Sequence, residues 1–349
     1  MIRGSDDTSS IMALADWSIP VQPHDHRARA RWWFAVLTAF FTLALISWGG
    51  FVTTIDAGMA VPDWPSSFGS YDPFKTGFHD PTDPSAQWWD RTPILAEHGH
   101  RLLGALVGLL TIGLALWIWR SDPRRWMRRL GFAALGLVIF QGILGGLRVT
   151  ENSLALAAVH GATAQLFFSL IVAIALFTSP AWLEARAVPA DGPPLDRLRR
   201  LSLWTIAALY GQIILGVLLR HPGQGIAIHF AVVHIAGAFV VTGLVLAVFI
   251  HVQKHFEANR LLNRAAWAML WIVALQFALG LSAYLVLLYE TPAALRSTLQ
   301  VVLRTAHVAT GALLMGSTVV LTLLALRRRA EAPAAAVAPE LAAFSQTNR

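Results

Sequence analysis

Apolar residues fill this chain in long runs separated by short polar breaks. Eight stretches, approximately 33–54, 93–119, 130–149, 154–177, 201–219, 226–250, 265–288 and 301–326, are almost free of charge. At a helical rise of about 1.5 Å per residue each can cross about 30 Å of hydrocarbon. The pattern predicts an all-α integral membrane protein with eight transmembrane helices. After Arg329 the chain turns Ala/Pro-rich ("AEAPAAAVAPELAA"), and 330–349 is expected to be a disordered cytoplasmic tail.

The polar breaks set the orientation. Arg27, Arg29 and Arg31 precede the first span, and Arg120, Arg124, Arg125, Arg128 and Arg129 follow the second. Arg197, Arg199 and Arg200 precede the fifth, Lys254, Arg260 and Arg264 follow the sixth, and Arg327, Arg328 and Arg329 follow the eighth. With eight spans all of these lie on one side, so both termini are expected in the cytoplasm. The opposite connections are poor in Lys and Arg. The first of them, 55–92, is long and carries Asp56, Asp63, Asp72, Asp80, Asp83 and Asp90 against Lys75 and Arg91, a length that suggests a lid or binding element.

Composition narrows the chemistry. Hydrophobic residues make up 56% of the 349 positions and charged residues 13%, far from a soluble domain. The net charge of +7 therefore reflects cytoplasmic loops and not nucleic-acid binding. The absence of cysteine excludes disulfides, thiolate metal sites, iron–sulfur clusters and covalently attached c-type haem. The first thirty residues lack an apolar signal core, and Asp6, Asp7 and Asp16 argue against a mitochondrial presequence.

The spans also repeat. "FQGILGGLRVT" (140–150), "YGQIILGVLLR" (210–220) and "LQFALGLSAYL" (275–285) share a Gln followed by a Leu-Gly pair, and "SWGGFVTT" (47–54) resembles the end of the first of these. Each such helix is followed by one with an early histidine. This predicts two similar four-helix halves: 33–185, preceded by a cytoplasmic segment 1–32, and 186–329. Parallel repeats about an axis along the membrane normal are a known architecture.

Six of the twelve histidines fall inside spans. His100, His160, His234 and His307 lie one on each even-numbered span, about six to nine residues in, or about 9–13 Å below the external boundary. A small residue follows each ("HRLLG", "HGATA", "HIAGA", "HVATG"), leaving room for something flat and large. A single intramembrane histidine can be a hydrogen bond between helices. Four at one depth, with no thiolates and few methionines nearby, point to haem iron held by imidazole pairs: His100 with His160, and His234 with His307. His98 lies about 200° around its helix from His100, and His229 nearer the surface than His234. Both are expected to be interfacial, while His24, His26, His251 and His255 fall in cytoplasmic segments.

At these residues the chain resembles the haem A synthase family, in its cysteine-free subgroup. The resemblance is carried by "GGFVTTIDAGMAVPDWPSSFG" after span 1, "EHGHR" (97–101) in span 2, "GGLRVTENSLALAAVHGATAQLFF" through spans 3 and 4, and the histidines of spans 6 and 8. Glu97, His100 and Arg101 match the family's span-2 pattern. Ile235 stands where the family often has Arg after the span-6 histidine. The resemblance implies oxidation of the C8 methyl of haem O to the formyl group of haem A, for assembly of cytochrome oxidase in the inner (plasma) membrane. It implies haem O as substrate in the N-terminal half, on His100 and His160, and a resident haem b in the C-terminal half, on His234 and His307, both toward the external side. Glu97 is then the catalytic acid–base, and Arg101 the partner of a haem propionate or of Glu97 itself. Arg148, Arg220 and Arg304, at external span ends, are further propionate candidates beside their ordinary role as interfacial anchors. Haem O synthase and oxidase assembly factors are the implied partners, a homo-oligomer is compatible with the pattern, and the electron acceptor is unspecified. Two other classes have the same histidines: a di-haem electron-transfer protein of cytochrome b type, and a repeat-built transporter using them as a proton relay.

Overall fold

In a computed structural model, residues 26–184, 192–220, 228–289 and 297–327 are described. Eight helices carry the fold: α1 (His26–Thr54), α2 (Thr92–Ser121), α3 (Arg125–Thr150), α4 (Leu154–Thr178), α5 (Pro193–Arg220), α6 (Ile228–Phe256), α7 (Arg260–Tyr289) and α8 (Thr298–Leu326). All eight are long and apolar enough to cross a membrane. The short helix Pro180–Glu184 follows α4. Side chains cap several described helix starts: Ser153 Oγ accepts from the Leu156 amide, Asn259 Oδ1 from the Leu262 amide and Ser297 Oγ from the Gln300 amide, satisfying donors that a helix start leaves open. Several helices begin earlier than the apolar runs do, α1 at His26, α3 at Arg125, α5 at Pro193 and α7 at Arg260. Hydropathy marks only the hydrocarbon segment, and Arg-rich sequence continues the helix into the interface.

The packing has two similar halves. Helix α1 packs on α2 and α4, and α3 on α2 and α4, closing one four-helix ring. Helices α5 to α8 close a second ring in the same order. The rings meet where α1 and α4 pack on α8, with a smaller contact between α4 and α5. Helices α4 and α8 are the most buried of the eight. The expected division near 185–186, the tail 330–349, His24 and His221 lie outside the described residues.

The two ends of the bundle differ. At one end, Arg31 reaches Ser121 Oγ at 2.9 Å and Asp122 at 3.3 Å. Asp122 also accepts from Arg124 at 2.7 Å, and Arg124 donates to the Phe177 carbonyl. All three charges are almost fully buried. His251, expected in a cytoplasmic segment, belongs to the last turns of α6 at this end; it is buried, with Nε2 2.8 Å from the Pro194 carbonyl. Arg199 donates to the Ala325 carbonyl at 3.0 Å. The start of α1 and the end of α8 therefore share this end.

The other end carries the connection 55–91, which folds over α2 and α3. It contains the two-residue hairpin Ser67–Ser70, closed by two backbone hydrogen bonds, with positive φ at Phe68 (52°) and Gly69 (77°). Glycine suits that left-handed position. The Asp63 carboxylate accepts from the amides of Phe68 (2.7 Å) and Gly69 (2.8 Å) and anchors the hairpin.

Candidate functional site

The four histidines of the even helices sit on a repeated device. Each ring rests against a glycine of the preceding helix. A Cβ at Gly49 would meet His100 Cε1 at 3.0 Å, at Gly145 His160 Cε1 at 3.4 Å, at Gly216 His234 Cε1 at 3.1 Å, and at Gly280 His307 Cε1 at 2.8 Å. Any larger residue at Gly49, Gly216 or Gly280 would push its ring aside. In the C-terminal half the small residues following the histidines serve differently from the expectation. At Gly311 a side chain would meet the Gln276 amide at 3.2 Å, and at Gly237 it would collide with Gln212. Those gaps admit a glutamine from the neighbouring helix and not a flat ligand.

The histidines pair within halves. The rings of His234 and His307 have centroids 6.4 Å apart, inclined at 73°. Two imidazoles sharing one metal stand about 6–6.5 Å apart, from two metal–nitrogen bonds of about 2.0–2.1 Å and roughly 1.1 Å from each centroid to its nitrogen. His100 and His160 lie within electrostatic reach of each other and of Arg148. Nδ1 of His100, His234 and His307 is buried without a hydrogen-bond partner. Among the described residues no cluster of three or more His, Asp or Glu side chains could hold a metal ion. Paired imidazoles without a third protein ligand would suit a haem iron and not a closed zinc site.

Glu97 and Arg101 lie beside this pair and grip the overlying loop. Glu97 is buried, accepting from Arg101 Nη2 at 3.2 Å through Oε1 and from the Val61 amide at 2.9 Å through Oε2. Arg101 also donates to the carbonyls of Asp63 (2.6 Å), Ser66 (2.9 Å) and Val61 (2.9 Å). Its guanidinium is thus committed to loop backbone and to Glu97. Arg148 donates to the Gly58 carbonyl and lies within reach of Glu97 and Arg101. In the second half Arg220 lies near His307 and donates to the Gly50 carbonyl (2.7 Å) and to Thr54 Oγ1 (2.5 Å), crossing to α1 of the first half. The Arg304 carbonyl accepts from Arg220 at 3.4 Å.

His98, read from the sequence as interfacial, is buried and bonded on both ring nitrogens: Nδ1 to Ser67 Oγ at 3.0 Å and Nε2 to the Pro73 carbonyl at 2.9 Å. Trp88 packs edge-on against it at 4.7 Å. Its 200° offset from His100 turns it away from the paired rings and toward the loop. His229 is exposed, beside Phe230. Trp64 lies flat on Gly146, where a Cβ would collide with its ring, next to the Gly145 that cradles His160. The loop signals legible in the sequence were Asp-Trp-Pro and the tryptophans, but not which helices they would reach.

Residues 31–297 match the family model described as cytochrome oxidase assembly protein, COX15-CtaA. The chain belongs to that family. Its relatives include proteins named heme A synthase. The one from Symbiobacterium thermophilum is 29% identical, over 70% of this chain and 81% of its own. That from Alkalihalophilus pseudofirmus is 28% identical, over 56% and 61%. That from Shouchella clausii is 26% identical, over 72% and 85%. The matched span in the family model takes in Glu97, Arg101, His100, His160 and His234, and ends before His307. The eight apolar helices make this family member a multi-pass membrane protein.

Proposed function

We propose that the chain is a haem A synthase, an oxidoreductase that converts the C8 methyl of haem O to the formyl group of haem A. The observation that carries this reading is the glycine-cradled histidine, repeated on all four even helices and paired within each half, in a chain of this family. The unpartnered Nδ1 atoms and the 6.4 Å ring separation fit imidazole pairs that hold a haem. His100 and His160 hold the substrate, because Glu97 and the loop lie over that pair. His234 and His307 hold a resident haem b, which would supply one-electron chemistry to a half whose described residues place no carboxylate beside its histidines.

Oxidation of a methyl group to a formyl group releases protons and electrons. Glu97 is the carboxylate positioned to take up a proton. Arg101 keeps it in place, and its bonds to Val61, Asp63 and Ser66 close the loop against water. Arg148 and Arg220, one per half and each close to a paired histidine, are propionate partners beside Arg101, although each also donates to a backbone carbonyl. The Arg-rich end holding Arg31, Arg124 and Arg199 faces the cytoplasm, so both termini lie there and the histidine pairs lie toward the external side of the inner (plasma) membrane. Haem O synthase, as the source of the substrate, and oxidase assembly factors are the partners this reading implies.

The deciding measurement is the visible spectrum of purified protein together with analysis of its extracted haems. A haem A synthase contains haem b together with haem O, its hydroxylated intermediate or haem A. Haem b alone would make the chain a di-haem electron-transfer protein, and a haem-free protein would favour the transporter.

A further inference from the structure

The cradle glycines have a second repeated neighbour. Four residues before Gly145, Gly216 and Gly280 stand Gln141, Gln212 and Gln276, one helical turn along the same face. With its amide oriented to satisfy its neighbours, Gln141 donates to His160 Nδ1 (3.1 Å) and to the His160 carbonyl (3.2 Å) and accepts from Thr163 Oγ1 (2.5 Å). Gln212 donates to the His234 carbonyl at 2.5 Å. Gln276 lies 3.3 Å from His307 Nε2 and accepts from Thr310 Oγ1. Each amide braces a histidine or the helical turn that carries it.

The first repeat breaks the rule. Four residues before Gly49 stands Leu45, which has no hydrogen-bonding group. His100 Nδ1 is buried without a partner, as are those of His234 and His307, but only the repeat facing His100 lacks the glutamine. One turn past His100, a side chain at Gly104 would meet nothing within 4 Å, whereas one turn past His307 it would meet Gln276. The space that a glutamine fills beside His307 is open beside His100.

We infer that the two histidines of the N-terminal half are braced unequally: Gln141 is a positioning residue for His160, and His100, whose repeat has Leu45 in place of the glutamine, is the ligand that lets go when haem O enters and product leaves. This rests on the haem A synthase reading above. A side-chain hydrogen bond to a ligand imidazole, or to the helical turn that carries it, fixes the orientation of the ring. His160 has such bonds from Gln141, and His100 has no glutamine at the equivalent position. The half that must exchange its porphyrin contains the unbraced ligand, while both histidines of the other half lie on glutamine-braced turns.

The test uses purified full-length protein loaded with haem O, reduced and exposed to carbon monoxide, which replaces an axial ligand only where that ligand releases. In the wild type the haem that disappears in His160→Ala should take up carbon monoxide, and the haem that disappears in His307→Ala should not. Leu45→Gln should weaken carbon monoxide binding and slow haem release about 10-fold or more, the usual scale for a partner of a metal ligand. Gln141→Leu should shed the first haem during purification and keep the second, with Gln141→Asn restoring part of it. Carbon monoxide affinity in Leu45→Gln within twofold of wild type, or equal uptake by both haems, overturns the inference. Should Leu45→Gln lose the second haem as well, marking a misfolded protein, glycine variants decide. Imidazole added to His100→Gly should restore turnover, and imidazole added to His160→Gly should not; equal rescue overturns the inference. Extracts containing haem b alone would instead overturn the synthase reading, independently of these comparisons.

Discussion

Glu97 is bonded by one charged group and one backbone amide, and this sets what its replacement does. Glutamine can still accept one of these bonds, and an amide is easier to bury than a charge. Glu97→Gln should therefore fold and keep both haems. Its haem A output should fall by about 10²–10⁴-fold, the usual contribution of a general acid–base group, with haem O accumulating in the extract. Haem A made at the normal rate would leave Glu97 as a clasp only. Arg101→Ala differs, because it strips a buried carboxylate of its partner, a change that typically costs about 3–5 kcal/mol, and releases three loop carbonyls at once. Limited proteolysis should then cut within 55–91, which the wild type and Glu97→Gln resist. A protected loop in Arg101→Ala would place the anchoring elsewhere, for instance at His98.

As an element, the 55–91 connection is organised by its own carboxylates. Asp80 accepts from the hydroxyl and amide of Thr82, which with Arg91 hold its pKa down to about 2. Partial burial pushes Asp63 up, but its bonds from Ser66, Gly69 and Phe68 outweigh that and leave it below the ordinary carboxylate value. Both groups are depressed in the folded loop, so their contribution is present above the unfolded value of about 4. It is lost as pH falls through the folded values. Fluorescence of Trp88 and Trp89 should report loosening between about pH 4 and pH 2, and none between pH 8 and pH 5. A transition near neutrality would mean that histidines, not these aspartates, control the loop. Deleting part of 70–86 should impair haem O conversion and spare the His234–His307 haem, since the loop's bonds reach α2 and α3. Full activity after that deletion would rule out a lid.

At the scale of the whole molecule, the far end of the bundle is locked by Asp122 between Arg31 and Arg124. The two guanidiniums hold this carboxyl below the ordinary range against the opposing effect of burial. Asp122→Asn leaves two buried cations without their counter-ion and should destabilise the bundle by about 3–5 kcal/mol, seen as a lower midpoint of thermal helix loss in detergent. The haem spectrum below that transition should be unchanged, because the lock lies at the opposite end from the histidines. A spectral change would couple the two ends. The halves meet close to both sites. Gly49 touches His100, and its neighbour Gly50 would place a Cβ 3.3 Å from Val308, next to His307.

The eight spans, the common end shared by the start of α1 and the end of α8, and one histidine on each even-numbered helix were legible in the sequence. Lipid forces each apolar run to satisfy its own backbone as a helix, and a fixed rise per residue converts position into depth. The repeat of Gln and Gly was also visible, as was the absence of a second carboxylate beside the paired histidines. Contacts between helices were not. Nothing local says that Gly49 meets His100, that Gln212 fills the gap beside Gly237, or that Arg220 reaches Gly50 in the other half. The same limit hid the role of "EHGHR". Helical geometry places Glu97 and Arg101 one turn apart, within reach of each other, but it is the loop folding back over α2 that supplies Val61, Asp63 and Ser66 as partners. A buried charge must find a counter-charge or hydrogen bonds, so the sequence by itself determined that these residues needed partners. Only the tertiary structure decided which, because partners distant in sequence are chosen by how the helices and the loop pack.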